Sequence, residues 1–123
     1  MKYKLSVAKS FSSAHRLREY KGKCENLHGH NWKVKVTFCG TELNSQGMLI
    51  DFSDIKKHLG KIISYLDHKF LNEIAPFDKI NPTAENIASF ILEQLKLVET
   101  KDAKAFEVEV WESQSSSTMV SFS

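Results

Sequence analysis

The amino-acid sequence predicts an α+β fold with an antiparallel sheet, and three observations carry that prediction. Apolar and polar residues alternate near both ends of the chain, two helical stripes occupy the middle, and the strands come in runs rather than interleaved with helices. At 123 residues the whole chain, 1–123, is expected to be one domain.

In the first strand Tyr3, Leu5, Val7 and Phe11 share a face, and Lys9 interrupts it at a point that reads as a bulge. The second strand sets Trp32, Val34, Val36 and Phe38 against Lys33, Lys35 and Thr37. GTELNSQG then reads as a loop, and GMLIDF as a short returning strand. Ser53 can cap a helix with the stripe Ile55, Leu59, Ile62, Ile63 and Leu66. In NPTAEN, Asn81 or Thr83 can cap a second helix whose stripe is Ile87, Phe90, Ile91, Leu95 and Val98, with Pro82 tolerated at its entry. Phe106, Val108 and Val110 mark a late inward-facing strand, SQSSST a turn-like segment, and Val120 and Phe122 a terminal strand.

Composition narrows the function. A hydrophobic fraction of 41% with eight Phe is enough for a core. No segment approaches the ~20 apolar residues that cross a bilayer, and MKYKLSVAKSFSS lacks the apolar run of a signal peptide, so no membrane role and a cytoplasmic location are expected. Cys24 and Cys39 are too few for a disulfide framework. The net charge of +2 comes from scattered lysines without a basic run, so no nucleic-acid partner is expected.

The chemistry lies at strand ends. Side chains two apart on a strand share a face, which puts His28 and His30 in phase with Trp32 and Val34, and His15 in phase with Phe11. Pairing of the two strands lets three imidazoles converge at the rim of the core, and Gly29 between two of them leaves room for close approach. Three neutral imidazoles suit Zn²⁺, and three protein ligands with one position open is the catalytic pattern. The bland alternative is a rim of half-buried, hydrogen-bonded histidines.

Cys24 has three readings: a fourth ligand, a buried inert thiol, or an unligated base. Its neighbours Lys21 and Lys23 favour a thiolate over burial, whereas Cys39 lies on the outward phase and reads as structural. Glu112 ends the apolar stripe of the late strand, where a ligand with adjacent N–H groups would satisfy it, or where it is simply a solvated strand end. Asp67 and His68 close the first helix, either as a proton-transfer pair or as an ordinary helix terminus. His58 reads as surface.

Taken together, FSSAHRL, CENLHGHNW, GMLIDFSDIK, LDHKFLN, NPTAENIA and VWES closely resemble the 6-pyruvoyl-tetrahydropterin synthase family, from about Phe11 to Ser113. Cys followed by three residues and His-Gly-His, on a short chain, is most similar to the family's bacterial 6-carboxy-5,6,7,8-tetrahydropterin synthase branch of queuosine biosynthesis. The resemblance implies the tunnelling fold, with two helices on one face of the sheet. It also implies homo-oligomers, hexamers or tetramers, whose sheets join into a barrel with active sites between subunits.

It further implies Zn²⁺ as cofactor on His15, His28 and His30, Cys24 as proton acceptor, Asp67 and His68 as a relay pair, and Glu112 as the acid that anchors a pterin ring. The implied substrate is 7,8-dihydroneopterin triphosphate, with Lys21, Lys23 and Arg16 as candidate phosphate contacts. Ser113 stands where the family commonly has Thr, and Trp32 where it often has Tyr. The rivals are a synthase that stops at 6-pyruvoyltetrahydropterin, a non-catalytic zinc scaffold with Cys24 as fourth ligand, and a pterin-binding module without turnover.

Overall fold

The computed structural model describes residues 1–19 and 26–123. Two long strands, β1 (Tyr3–His15) and β2 (His28–Gly40), pair antiparallel in unbroken register from Tyr3 opposite Gly40 to His15 opposite His28. β3 (Lys104–Trp111) and β4 (Ser117–Ser121) extend the antiparallel sheet in the order β1-β2-β3-β4. The helices α1 (Phe52–Leu66) and α2 (Ala84–Leu95) cover one face, α1 against β1 and α2 against β3 and β4. Their stripes, with Leu59, Leu66, Ile87, Ile91 and Leu95 fully buried, meet Val34, Val36, Phe38, Val108 and Val110 in one core. No helix among the described residues is long and apolar enough to cross a membrane.

Four local expectations are corrected. The register runs through Lys9 without a bulge, because Gly60 on α1 leaves a gap over it: a Cβ on Gly60 would lie 3.5 Å from Lys9 Nζ. The lysine stem thereby escapes from the covered face to solvent. The irregularity falls instead between Thr37 and Phe38, where Ala105, not Phe106, pairs with Phe38. Ala105 is buried, and Phe106 carries Lys4 Nζ at 4.4 Å and Lys2 Nζ at 5.3 Å from its ring centroid.

GMLIDF forms no strand. The Asn44 side chain accepts the N–H groups of Gln46 and Met48, and Gly47 turns with φ of 80°, so donors a strand would pair are spent in the turn. Finally, Asp51 rather than Ser53 caps α1, its carboxylate accepting from Ser53 N at 2.8 Å; Thr83 caps α2 by accepting from Asn86 N at 3.1 Å.

Two glycines are expected to respond oppositely to alanine. A Cβ on Gly40 would meet the Asp102 carbonyl oxygen at 2.0 Å and Leu49 Cδ1 at 2.5 Å. Gly40→Ala is therefore expected to lose at least ~1–3 kcal/mol of stability, since backbone must shift. Gly60 sits inside a helix with only ordinary contact distances around the added methyl. Gly60→Ala is expected to gain about 0.5–1 kcal/mol. Urea midpoints of the two variants check both signs.

Candidate functional site

The rim of the sheet where β1 ends and β2 begins holds the histidines. His15 and His28 face each other as a registered pair, and His30 lies opposite Ser13. Trp32, fully buried, floors the cluster, with its ring edge-on to His15 at 4.9 Å and to His30 at 5.3 Å. Phe11 stacks on Trp32 at 5.9 Å, and the indole N–H donates to the Ser13 carbonyl at 3.2 Å. The alternation that builds the core face thus also delivers the imidazoles onto an aromatic floor.

Hydrogen bonds fix where the ring protons are. His15 Nδ1 donates to the Pro82 carbonyl at 2.7 Å, and His28 Nδ1 to the Asn26 carbonyl at 2.7 Å, because a carbonyl oxygen only accepts. In the neutral rings both Nε2 atoms then carry lone pairs, yet they stand 3.0 Å apart. His30 Nε2 is buried without a hydrogen bond and lies 2.9 Å from Glu112 Oε1, an approach too poorly aligned to count as one.

The donor atoms of His15, His28, His30 and Glu112 all lie within 4.8 Å of one another. Facing lone pairs repel unless a cation lies between them. Two tetrahedral zinc ligands at about 2.0–2.1 Å from the ion would be about 3.3 Å apart, close to the observed spacing. The residues fit a zinc ion. The carbonyl-bound Nδ1 atoms also supply the outer contacts that orient such ligands.

Burial, as its largest cause, holds His15 below its usual pKa of 6.5; His28 and His30 lower it further, while the Pro82 bond and Glu112 oppose the shift. Burial likewise lowers His30, against the opposing pull of Glu112. Both imidazoles are thereby kept neutral, the state that ligates. In metal-free protein the unfolded chain binds more protons than the folded one as pH falls through 6.5. Stability is expected to be level above that point and to fall below it, a trend that chelator-treated protein unfolded at pH 7.5 and 5.5 will reveal.

Asp67 ends α1, and His68 follows with φ of 54°, in the left-handed region. Asp67 Oδ1 accepts from Ser12 N at 2.9 Å and Oδ2 lies 2.9 Å from His68 Nδ1. The Ser12 bond, then the His68 bond, hold the carboxyl below the usual range. His68 N donates to the Ser12 carbonyl at 2.7 Å, and Ala14 N to the Lys69 carbonyl at 3.0 Å, so the segment is laced to the open edge of β1. His68 and His30 line one cleft of 360 Å³ together with Ser12, Ser13, Ala14, Gly29, Asn31 and Lys69. A Cβ on Gly29 would meet nothing within 4 Å, so this wall stays open.

Cys24, Lys21 and Lys23 lie outside the described residues. Cys39 is half-buried on the outward phase, and His58 is half-buried on α1 and is not one of the clustered donors. Sequence reasoning missed the frame that holds His15. Asn81 exchanges two hydrogen bonds with the Arg18 backbone, at 2.8 and 2.9 Å, and Asn72 does the same with Arg16 at 3.0 and 2.9 Å. The Arg18 guanidinium is spent on the carbonyls of Asn72, Phe77 and Ile80. One available signal was Ser13, which stands on the inward phase with Phe11 and His15 and so must find partners. Its hydroxyl donates to the Leu66 carbonyl and accepts from Lys69 N.

An antiparallel sheet carrying two helices on one face, with three imidazoles and a carboxylate gathered at one end, defines a small α+β protein whose clustered donors could hold a metal ion beside an open cleft. Comparison with known proteins narrows the class. Residues 4–121 match the family described as 6-pyruvoyl tetrahydropterin synthase, and the chain belongs to that family. It is similar to the 6-carboxy-5,6,7,8-tetrahydropterin synthase of Haemophilus influenzae, at 35% identity over 93% of this chain and 95% of that one. It is also similar to the 6-pyruvoyl tetrahydrobiopterin synthase of Poecilia reticulata, at 38% identity over 74% and 71%. The solved 6-pyruvoyl tetrahydropterin synthase of Caenorhabditis elegans superposes with a TM-score of 0.90 at 28% identity, covering 100% of this chain and 97% of that one. The fold is the family's tunnelling fold, and the chain is an enzyme of that family.

Proposed function

We propose that this chain is a zinc-dependent lyase that converts 7,8-dihydroneopterin triphosphate and water to 6-carboxy-5,6,7,8-tetrahydropterin, acetaldehyde and triphosphate. The observation that carries the reading is the set of imidazole nitrogens facing one point at the head of the cleft that His68 also lines. Zinc bound there supplies Lewis acidity toward the hydroxyl oxygens of the substrate side chain.

The chain's own groups handle protons and position. The Cys24 thiolate accepts the proton from the side-chain carbon, and His68, oriented by Asp67, makes the return transfer. Glu112 accepts hydrogen bonds from the adjacent N–H groups of the pterin ring and so fixes the reacting carbon. Triphosphate leaves by elimination, and side-chain cleavage releases acetaldehyde. Arg16, Lys21 and Lys23 are the basic residues proposed for the phosphates. The active unit is a homo-oligomer, a hexamer or tetramer, whose sheets close into a barrel with sites between subunits.

The 6-carboxy branch is supported by Cys24, separated by three residues from His28-Gly29-His30, and by the Haemophilus relative. A second reading, elimination without side-chain cleavage, is favoured by the Poecilia relative. Zinc-loaded protein incubated with the triphosphate separates them by product mass. Acetaldehyde with a carboxylated pterin supports the first, a retained three-carbon side chain supports the second, and unchanged substrate defeats both.

A further inference from the structure

Glu112 enters the histidine cluster rather than standing off from it. Its Oε1 lies 2.9 Å from His30 Nε2 and 3.8 Å from His15 Nε2. Among the described residues, no N–H or O–H group hydrogen-bonds its carboxylate, although its side chain is only 35% exposed. Glu112 N donates to the Ser116 carbonyl at 3.2 Å across the β3–β4 hairpin, which fixes the backbone beside the cluster and leaves the side-chain torsions free to turn. His30 Nε2, for its part, is a buried nitrogen that no hydrogen bond satisfies. Two polar atoms this close with no hydrogen bond between them are what a shared cation would satisfy.

We propose that Glu112 is the fourth metal donor of the substrate-free protein, closing the site that the three histidines leave open, and that a ring offering adjacent N–H groups draws it off. The inference rests on the zinc-dependent pterin reading above and gives one carboxylate two successive partners. In the resting state it completes the coordination shell together with side chains from β1 and β2. When the pterin arrives, two N–H donors compete for the same oxygens, and the vacated position opens only once the ring is seated. The site is therefore opened by its own substrate, which keeps it closed to other oxygen donors in the meantime.

The test uses the full chain. Metal-free wild type, Glu112→Gln and Glu112→Ala are titrated with Zn²⁺ against a competing chelator, and with Co²⁺ while the visible ligand-field bands are followed. Thermal unfolding of the metal-free proteins checks that the variants fold. Zinc affinity is expected to fall tenfold or more in both variants, with altered cobalt bands. Adding pterin itself, which has no hydroxylated side chain, to cobalt-loaded wild type is expected to shift the bands in the same direction, a measurement that needs no variant.

Affinities equal within twofold overturn the inference. So do cobalt bands that ignore saturating pterin, or weaker binding with unchanged bands, which marks a through-space charge effect. If wild type turns over the triphosphate while Glu112→Gln keeps its metal, the fourth donor falls and the proposed function stands. If Glu112→Gln loses its metal and no pterin triphosphate is ever turned over, the donor stands and the function falls.

Discussion

His15→Ala is expected to abolish binding of the proposed metal ion and, with it, nearly all turnover. His15 is the anchor of the cluster: 1% exposed, with ring centroids 4.6 Å from His28 and 5.2 Å from His30. Its Nδ1–H is held by Pro82, so the ring enters the site already oriented. Changes to such outer contacts typically cost 10–100-fold in metal affinity, and removal of the ligand itself is expected to exceed that range. The substitution also leaves a cavity above Trp32 and frees the Pro82 carbonyl, so some stability is lost as well. His15→Gln, which fills more of that space, separates the two effects. Elemental analysis and chelator competition read the metal directly, and a His15→Ala protein that keeps one tightly held ion per chain would refute this assignment.

Cys24→Ala is expected to do the reverse, keeping the metal and losing the chemistry. A positioned proton acceptor contributes typically 10²–10⁴-fold, and turnover is expected to fall by that order. The rate of the unmodified enzyme is expected to rise with pH as the proposed thiol base ionises. Loss of that limb in the variant is a signature that simple destabilisation does not produce. Loss of metal together with turnover would instead make sulfur a ligand and favour the non-catalytic scaffold. Full turnover in Cys24→Ala would remove the thiol from the scheme.

What could be read from the sequence follows from which interactions are local. The strands and helices were legible because each buries one face, so Val34, Val36 and Phe38, or Ile55, Leu59 and Leu66, repeat with the period of their element. The imidazole cluster was legible for the same reason, as it continues two of those stripes. GMLIDF misled because Leu49 is buried like a strand residue while its neighbours' backbone donors go to Asn44. Phe106 misled because the irregularity at Thr37 and Phe38 changes which residue faces inward, and alternation carries no mark of it. The Pro82 carbonyl on His15 and the Asn81 grip on Arg18 join residues more than sixty positions apart. No spacing rule reaches that far. Glu112 was legible as an acid ending an apolar stripe, but its closeness to His30 depends on how β3 lies beside β2.

The left-handed backbone at His68 has a consequence for engineering this protein. That conformation is costly for most side chains with a Cβ and comfortable for glycine. The imidazole is mostly in solvent and adds little packing to offset the cost. A screen rewarding heat resistance alone would therefore favour His68→Gly early; on the mechanism proposed above those hardier molecules lose turnover, and any such campaign has to select for product at every round.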